Sequence, residues 1–580
     1  MKPITAYAIA LAAACGIPAY AQDFRVEPYL QNPASDAVTI RWLSETAAPG
    51  TLAIDGREFT SSPTLATTLD YQTAEPGADR YAGLPWLHSI RVTGLATNAP
   101  HGYAVAQGTT TRAGAFRTPV AAATTAGLAP GSGVRLFVYA DSETEPESAA
   151  KRSDWNPSLA PGSARPAWIP TRSTTVGGVP MIVDQYLTTE RTGYTQNLAI
   201  MQARATEAHT LGRATIAAIA GDLVESGGEQ RDWDEFWRHN AGPLAPDLTT
   251  GGFAGMTAIM PALGNHENYG GPGTLGGYSA PAALAAAPKY RTYFDLPDNA
   301  ATHADHAGRY HRVDFGPVTL ITIDSSNTGT DNTATDTNFF LASADNPQIP
   351  DALPGSAQYQ WLEGQLAAAR AAGQITFVQF HHAPYSSGVH GRPAGTDQTL
   401  ADTQSGQPLR ALTPLFALYD VKAVFSGHDE MYEHAVVDGI HFYDVGIGGD
   451  GLRGFDFGSD GYARQFLAQA DAPETWAGDV LISGGKHYGH LEIDVVMNAA
   501  GIWDVSITPA YAFPILTATN AGEIISWERR TYSDVVTFSA VPEPATAILA
   551  AAAIGLFLAA TQATRSRVRR NRPTGSDGRL

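Results

Sequence analysis

Ala214-Thr-Ile-Ala-Ala-Ile-Ala-Gly221-Asp222-Leu-Val-Glu225-Ser-Gly227 is the stretch from which the fold follows. A short apolar run meets a glycine and then a carboxylate, the pattern of a buried strand that delivers an acid at its C-terminal end. Four further segments repeat it. Residues 134–140 lead into Asp141, and 257–263 lead into Gly264-Asn265-His266-Glu267. Residues 376–380 lead into His381-His382, and 421–425 into Ser426-Gly427-His428-Asp429-Glu430. A single Gly-Asp after a strand is an ordinary turn. Five strand ends in succession, each closing on an oxygen or imidazole donor, point to a metal site.

Helical stretches at 195–211 and 358–372 alternate with these strands, so an α/β layout follows from residue 134 onward. Segments 144–179, 270–290 and 326–354 lack periodicity and are expected as long loops rimming the site. Past the last ligand-bearing strand, 439–445, 490–496, 503–509 and 523–530 alternate like strands and are expected to close a second sheet. Upstream, 38–43, 87–92 and 102–106 alternate between Gly and Pro turns, and roughly seven short strands fit a small all-β sandwich. The expected boundaries are 22–119 for the sandwich, 120–133 for a linker, 134–530 for the catalytic domain and 531–544 for a second linker.

Both ends carry their own signals. Residues 1–21 begin with Lys2, continue through a small apolar run and close on Ala19-Tyr20-Ala21, as a secretory signal peptide does. The only cysteine, Cys15, lies inside it, so the remaining chain has neither disulfides nor thiolate ligands. Val541-Pro-Glu-Pro544 precedes an apolar run at 545–563 and then a basic tail at 564–580 with Arg565, Arg567, Arg569, Arg570 and Arg572. That order predicts a membrane-spanning helix with a cytoplasmic tail, and it resembles the bacterial PEP-CTERM sorting signal. The expectation is export to the cell envelope or beyond, with at least transient anchoring and handling by sorting machinery. The net charge is −20 with Lys only at 2, 151, 289, 422 and 486. Both ends are basic, so the body between them is more acidic still. Such a body argues against nucleic acid as a partner, and a phosphate substrate would need local neutralisation.

With the five strand ends laid out, the chain resembles the calcineurin-like metallophosphoesterases, specifically their purple-acid-phosphatase-like branch, over roughly residues 24–500. The opening Pro28-Tyr-Leu-Gln-Asn-Pro33 with Thr39-Ile-Arg-Trp42 is similar to the fibronectin-like domain that precedes the catalytic domain in that branch. The resemblance implies a four-layer fold, two mixed sheets between helices, with two metal ions at the strand ends. It implies Asp222 as the bridging carboxylate and Asp141 on the first ion. Asn265, His428 and one of His381 and His382 fall on the second, with His382 preferred because His382-Ala-Pro384 matches the family's His-x-Pro. His266 is implied beside the phosphoryl group or the leaving oxygen.

The chain departs from the family twice. Glu143 replaces the histidine of Asp-x-His, and Glu430 replaces the second histidine of Gly-His-x-His. Both family histidines serve the first ion, so Asp141, Glu143, Asp222 and Glu430 would form an all-oxygen shell favouring Mn, Fe, Mg or Ca, with Zn, Mn or Fe at the second ion. Glu225 stands where the branch has its iron-binding tyrosine, so no tyrosinate–iron colour is expected. Tyr385, His390 and Arg392 follow the histidine strand as candidate substrate contacts, Arg392 as a phosphate fork. The implied function is metal-dependent hydrolysis of a small phosphoric ester, a monoester in preference to a diester, with His266 and Asp222 as the catalytic pair. The competing class is a surface binding protein that keeps the fold without turnover.

Overall fold

The computed structural model describes residues 23–540 except 74, 76–80, 82, 122–127, 150–171, 177–178, 184–189, 243–251, 273–279, 326–349, 351, 353, 392–405, 454–460, 468–469, 478–479, 486 and 517–523. The N-terminal unit is two four-stranded antiparallel sheets. One orders Phe24–Ala34, Ala37–Ser44, Trp86–Thr93 and Thr64–Leu65; the other orders Arg57–Thr60, Thr51–Ile54, Pro100–Gln107 and Thr110–Arg117. Alternate residues of both, among them Leu30, Ile40, Trp42, Leu52, Val105 and Phe116, fill the space between them.

The rest of the body is built on two mixed sheets. In the nine-stranded sheet, Ala258–Pro261, Arg213–Ile219 and Gly133–Tyr139 run parallel, and Gly489–Met497 continues it antiparallel. In the seven-stranded sheet, Val318–Thr322, Ile375–His382, Ala423–Gly427 and Ile440–Val445 run parallel. The two sheets pack face to face through Leu136, Val138, Ile216 and Ala218 on one and Leu320, Phe377 and Phe425 on the other. On the outer face of the first, Tyr139 and Ile219 meet Leu198 and Met201 of helix Glu190–Thr210 and Phe236 of helix Gln230–Asn240. On the outer face of the second, Val378 and Phe380 meet Leu362 and Leu366 of helix Ala357–Ala371. Helix, sheet, sheet, helix is the layer order, and strands buried on both faces read as continuous apolar runs.

Three expectations change. Ile440–Val445 stays beside Ala423–Gly427, whereas Gly489–Met497, Trp503–Leu516 and Ile524–Tyr532 extend the other sheet. Alternation places a residue on a face but does not choose the neighbouring strand. Val536–Ala540, read as linker, pairs with Trp503–Ile507. Helix Ala280–Tyr293 occupies part of the loop expected at 270–290, in keeping with the strong helix propensity of its alanines.

The membrane-spanning helix is also corrected. Among the described residues, no helix is long and apolar enough to cross a membrane. Helix Glu190–Thr210 reaches 21 residues, but Glu190, Arg191, Arg204 and Glu207 interrupt it. Among the described residues nothing therefore supports the expected anchoring to a membrane or the envelope placement drawn from it. The segments read as signal peptide (1–21), membrane helix (545–563) and basic tail (564–580) lie outside the described residues.

The N-terminal unit is tied to the loops of the larger body by hydrogen bonds. Gln72 Nε2 donates to the carbonyls of Gly228 and Gly270, both at 2.8 Å. Glu75 accepts from the backbone N–H groups of Gln230 and Arg231, both at 3.1 Å. These are the first two N–H groups of helix Gln230–Asn240, whose own N-cap residue Glu229 makes no side-chain cap, so a carboxylate from another unit does the capping. Removing it by Glu75→Ala should destabilise the protein by about 1–2 kcal/mol. A lower thermal midpoint, with unchanged metal content, is the expected measurement.

His88 shows a second dependence on burial. Its ring nitrogens lie 2.8 Å from Ser44 Oγ and 2.8 Å from Ser61 Oγ, and it stacks on Trp42. Burial pushes its pKa down from the ordinary 6.5 to about 4, so the folded state holds it neutral where the unfolded chain takes up a proton. Its stabilising contribution is complete above pH 6.5 and is lost as pH falls to 4, on the order of 3 kcal/mol in all. Thermal midpoints measured across this interval should fall less steeply for His88→Gln than for the wild type.

Candidate metal centre

Five parallel strands bring their carboxyl ends to one place, and the residues just past them make the centre. Asp141, Glu143, Asp222, His428 and Glu430 all adopt left-handed backbone, with φ of 56°, 33°, 52°, 77° and 47°. Such angles are unfavourable for residues with a Cβ and persist where surrounding bonds hold them. Here the bonds are visible. The N–H groups of Ser142 and Glu143 both donate to Asp222 O, and those of Gly449 and Asp450 both donate to Asp141 O. His428 N lies 3.0 Å from each oxygen of the Asp141 carboxylate. The motif glycines allow the approach: a Cβ on Gly264 would sit 2.0 Å from Asp222 Oδ1, and one on Gly427 would sit 2.0 Å from Asp141 Oδ2.

Among the described residues, four groups of donors converge closely enough to share an ion, the ligand atoms of each group all within 4.8 Å of one another. They are His381, His382 and His428; Asp141, Asp222 and His381; Glu143, Asp222 and His266; and Glu143, Glu225 and Asp450. Asp222 belongs to two of the groups, as a carboxylate lying between two ions would. His381 Nδ1 lies 2.9 Å from Ala220 O, and a carbonyl only accepts, so Nδ1 carries the proton. The lone pair of a neutral ring is then on Nε2, which faces Asp222 Oδ2 at 2.8 Å and Asn265 Oδ1 at 2.9 Å. Three acceptors aimed at one point call for a cation among them, so the donor set fits bound metal.

Electrostatics say the same. Burial, then Asp222, Glu430 and Asp444, push Asp141 well above the usual carboxylate range. Burial, then Asp450, Glu430 and Glu225, do the same to Glu143. For Asp222 burial is the largest influence and acts upward, but His381 and His266 outweigh it and hold the acid below its usual range. Burial, with His390 and His381 nearby, lowers His428 well below the ordinary histidine value, which leaves its lone pair available. Buried acids that raise one another's proton affinity are stabilised as anions by a multivalent cation.

The strand register brings both members of the histidine pair to the centre. Neighbouring residues on a regular strand face opposite ways, but the pairing of Ile375–His382 with Ala423–Gly427 shifts between Gln379 and His382. Both rings therefore reach His428, at centroid distances of 5.0 and 4.6 Å. His381 holds the contacts to Asp222 and Asn265, while His382 Nδ1 lies 2.6 Å from Ser325 Oγ.

Other candidates separate in space. His266 N donates to Asp222 Oδ1 at 3.0 Å and its Nδ1 to Glu225 O at 2.8 Å. Among the described residues, Glu430 enters none of the four groups; it pairs instead with the Arg453 guanidinium. His390 lies over His428 at 3.9 Å between centroids. Tyr385 turns into packing against Phe442 and Tyr462 and bonds Thr413 Oγ1. Arg392 lies outside the described residues. Sequence reasoning missed Glu225 as a donor, Asp450 and Arg453. Asp450 was accessible to it, since Ile440–Val445 also runs into a glycine-rich turn closing on an acid: Gly448-Gly-Asp450.

Glu267 supports the centre from behind. It is fully buried, and its carboxylate accepts from the N–H groups of Asp222, Leu223, Val224 and Gly264 at 2.7–3.3 Å. Burial and then Asp222 push it up to about 7 against those donors.

Residues 203–431 match the family profile of calcineurin-like phosphoesterases. Asp222, Glu225, His266, His381, His382 and His428 of the clusters just described lie inside it, and the matched segment is a calcineurin-like metallophosphoesterase domain, an enzyme domain for metal-dependent hydrolysis. Two curated but uncharacterised proteins of Mycobacterium tuberculosis are each 28% identical over 181 residues, 30% of this chain and 27% of theirs. The match thus spans about a quarter of the length of those relatives. Among solved structures, a purple acid phosphatase from yellow lupin (Lupinus luteus) seeds aligns over 87% of this chain and 74% of its own, with TM-score 0.50 and 15% identity. PhoD aligns over 89% and 90%, with TM-score 0.50 and 13% identity. Both likenesses are of fold.

The Glu267 cage makes a checkable statement about the centre. Glu267→Gln leaves one acceptor oxygen for four N–H groups, so the Asp222 turn should loosen and metal affinity should fall by about tenfold or more. Competition with a chromophoric chelator reads that change directly.

Proposed function

We propose that the protein hydrolyses phosphoric esters in the manner of the purple-acid-phosphatase-like branch, with phosphomonoesters as its preferred substrates. Asp222 carries the reading, because its buried carboxylate is shared by two of the donor groups and is touched by His381 and the His266 backbone. In the proposed assignment, Asp141, Glu143 and Asp222 hold the first ion, with Glu225 and Asp450 within reach of Glu143. Asp222, Asn265, His381, His382 and His428 surround the second, and His381 takes the position first given to His382. Mn, Fe, Mg or Ca suits the oxygen-rich side, and Zn, Mn or Fe the imidazole-rich side.

Bound by these residues, two ions would supply activation of a water and neutralisation of the phosphoryl oxygens for in-line displacement. The chain's own part is positioning and proton traffic. Asp222 sets the spacing, and the neutral Asn265 limits the negative charge facing an anionic substrate. His266 is oriented by its Nδ1 bond to Glu225 O, which directs proton exchange to Nε2, where it can protonate the leaving oxygen. Glu267 holds the turn that presents Asp222.

Metal analysis together with a panel of mono- and diesters, repeated with Mn, Ca, Zn and Fe, tests the reading. Two bound ions with turnover support it; a protein without turnover under any metal is the binding protein instead. Asp222→Asn should lose at least one equivalent of metal and most of the activity, a fall of about a hundredfold or more, while keeping the fold. Near-normal activity with full metal content in that variant would remove Asp222 from the bridge.

A further inference from the structure

The loop after strand Ile440–Val445 carries Asp450 and, three residues on, Arg453, which bears on substrate choice. Arg453 N donates to Glu430 O at 2.9 Å, pinning the loop across the turn that ends in Glu430. Gly451 makes room, since a Cβ there would sit 2.4 Å from Glu430 Oε2. One Nη of the guanidinium pairs with the Glu430 carboxylate, and the other donates to His390 Nε2 at 2.9 Å. His390 in turn lies on the ring of His428. A line of direct contacts therefore runs from a metal-centre imidazole through His390 to the guanidinium.

Exposure separates the two ends of the pair. The Glu430 side chain is 4% exposed and that of Arg453 is 47% exposed. The carboxylate is committed to the interior, while nearly half of the arginine side chain stays open to solvent. Its Nε has no hydrogen-bond partner among the described residues. Planar forks of this kind match paired phosphate oxygens. The acidic body and the scarcity of lysine make such a cation at the mouth of the centre consequential for drawing in an anion.

We propose that Arg453 is a substrate-binding residue that exchanges its pairing with Glu430 for a terminal oxygen of the phosphoryl group, and thereby selects monoesters over diesters. A monoester has three terminal oxygens and two negative charges at neutral pH. When two oxygens face the ions, a third remains for the guanidinium; in a diester that third oxygen is esterified and uncharged. Glu430, in place of the family histidine, then acts as the resting partner that keeps the fork at the rim.

The proposal rests on the phosphoesterase reading, so its test has arms that tell the two apart. Inorganic phosphate binding to the metal-loaded protein is measured by calorimetry for the wild type, Arg453→Gln and Arg453→Lys, alongside metal content. kcat/KM is measured for p-nitrophenyl phosphate and for bis(p-nitrophenyl) phosphate. Arg453→Gln should bind phosphate at least about tenfold more weakly, Arg453→Lys should lie between, and metal content should stay at the wild-type level. The monoester kcat/KM should fall by about tenfold or more, and that of the diester by less than about threefold. Equal phosphate affinity in wild type and Arg453→Gln, or equal losses on both esters, overturns the role given to Arg453 while leaving the phosphoesterase reading in place. Loss of metal in Arg453→Gln also overturns it, because the arginine would then be holding the centre together through Glu430. A wild type that neither binds phosphate nor turns over either ester overturns the reading of the site, and the proposal with it.

Discussion

Burying several carboxylates at one point is the constraint on which the rest of this structure depends. Asp141, Asp222, Glu143 and Glu430 are all at or below 5% exposure, and each but Asp222 has its proton affinity raised by burial and by its acidic neighbours. Such a cluster is tolerated only if surrounding dipoles and cations compensate it. Parallel strands supply part of the answer by delivering all five loops to the same edge. Backbone N–H groups supply more: His428 N on Asp141, His266 N on Asp222 and four N–H groups on Glu267. The remainder calls for a cation, and the His381 imidazole turned towards Asp222 belongs to a cluster that could hold one.

Compensation of this kind needs rigid loops, and the packing provides them from both sides. Two sheets stacked through a continuous apolar core fix the strand ends to one another. The N-terminal sandwich then braces the turns from outside, with Gln72 bonded to the carbonyls of Gly228 and Gly270. Those two turns follow Glu225 and His266 directly. The N-terminal unit therefore bears on the placement of donors it does not itself contribute.

Much of the centre was legible beforehand because its motif is local. Gly-Asp, Gly-Asn-His-Glu and Gly-His at strand ends are short patterns with a physical cause: Gly264 and Gly427 leave room for the Asp222 and Asp141 carboxylates of other strand ends, whose oxygens lie 2.0 Å from where a Cβ would be. The histidine pair was not legible, because facing depends on a register shift between Gln379 and His382 that leaves no mark in composition. Arg453 was equally hidden. Its partner Glu430 lies twenty-three residues earlier, and nothing in the intervening sequence says that the two loops cross.

The chain alone determined the α/β alternation and the order of donors, since apolar runs, periodicity and glycine punctuation are properties of neighbouring residues, whereas the four-layer order was implied by the family resemblance. It also suggested four carboxylates on one ion from two substitutions, Glu143 and Glu430. Only the tertiary structure shows Glu143 gathered with Asp222, Glu225 and Asp450, and Glu430 paired with a guanidinium. It likewise decided which sheet receives Gly489–Met497, Trp503–Leu516 and Ile524–Tyr532 and that helix Gln230–Asn240 is capped from another unit. The reason is common to all of these. A carboxylate takes the nearest cation or donor in space, and a strand takes the edge that buries its apolar face. Both are set by segments far away along the chain.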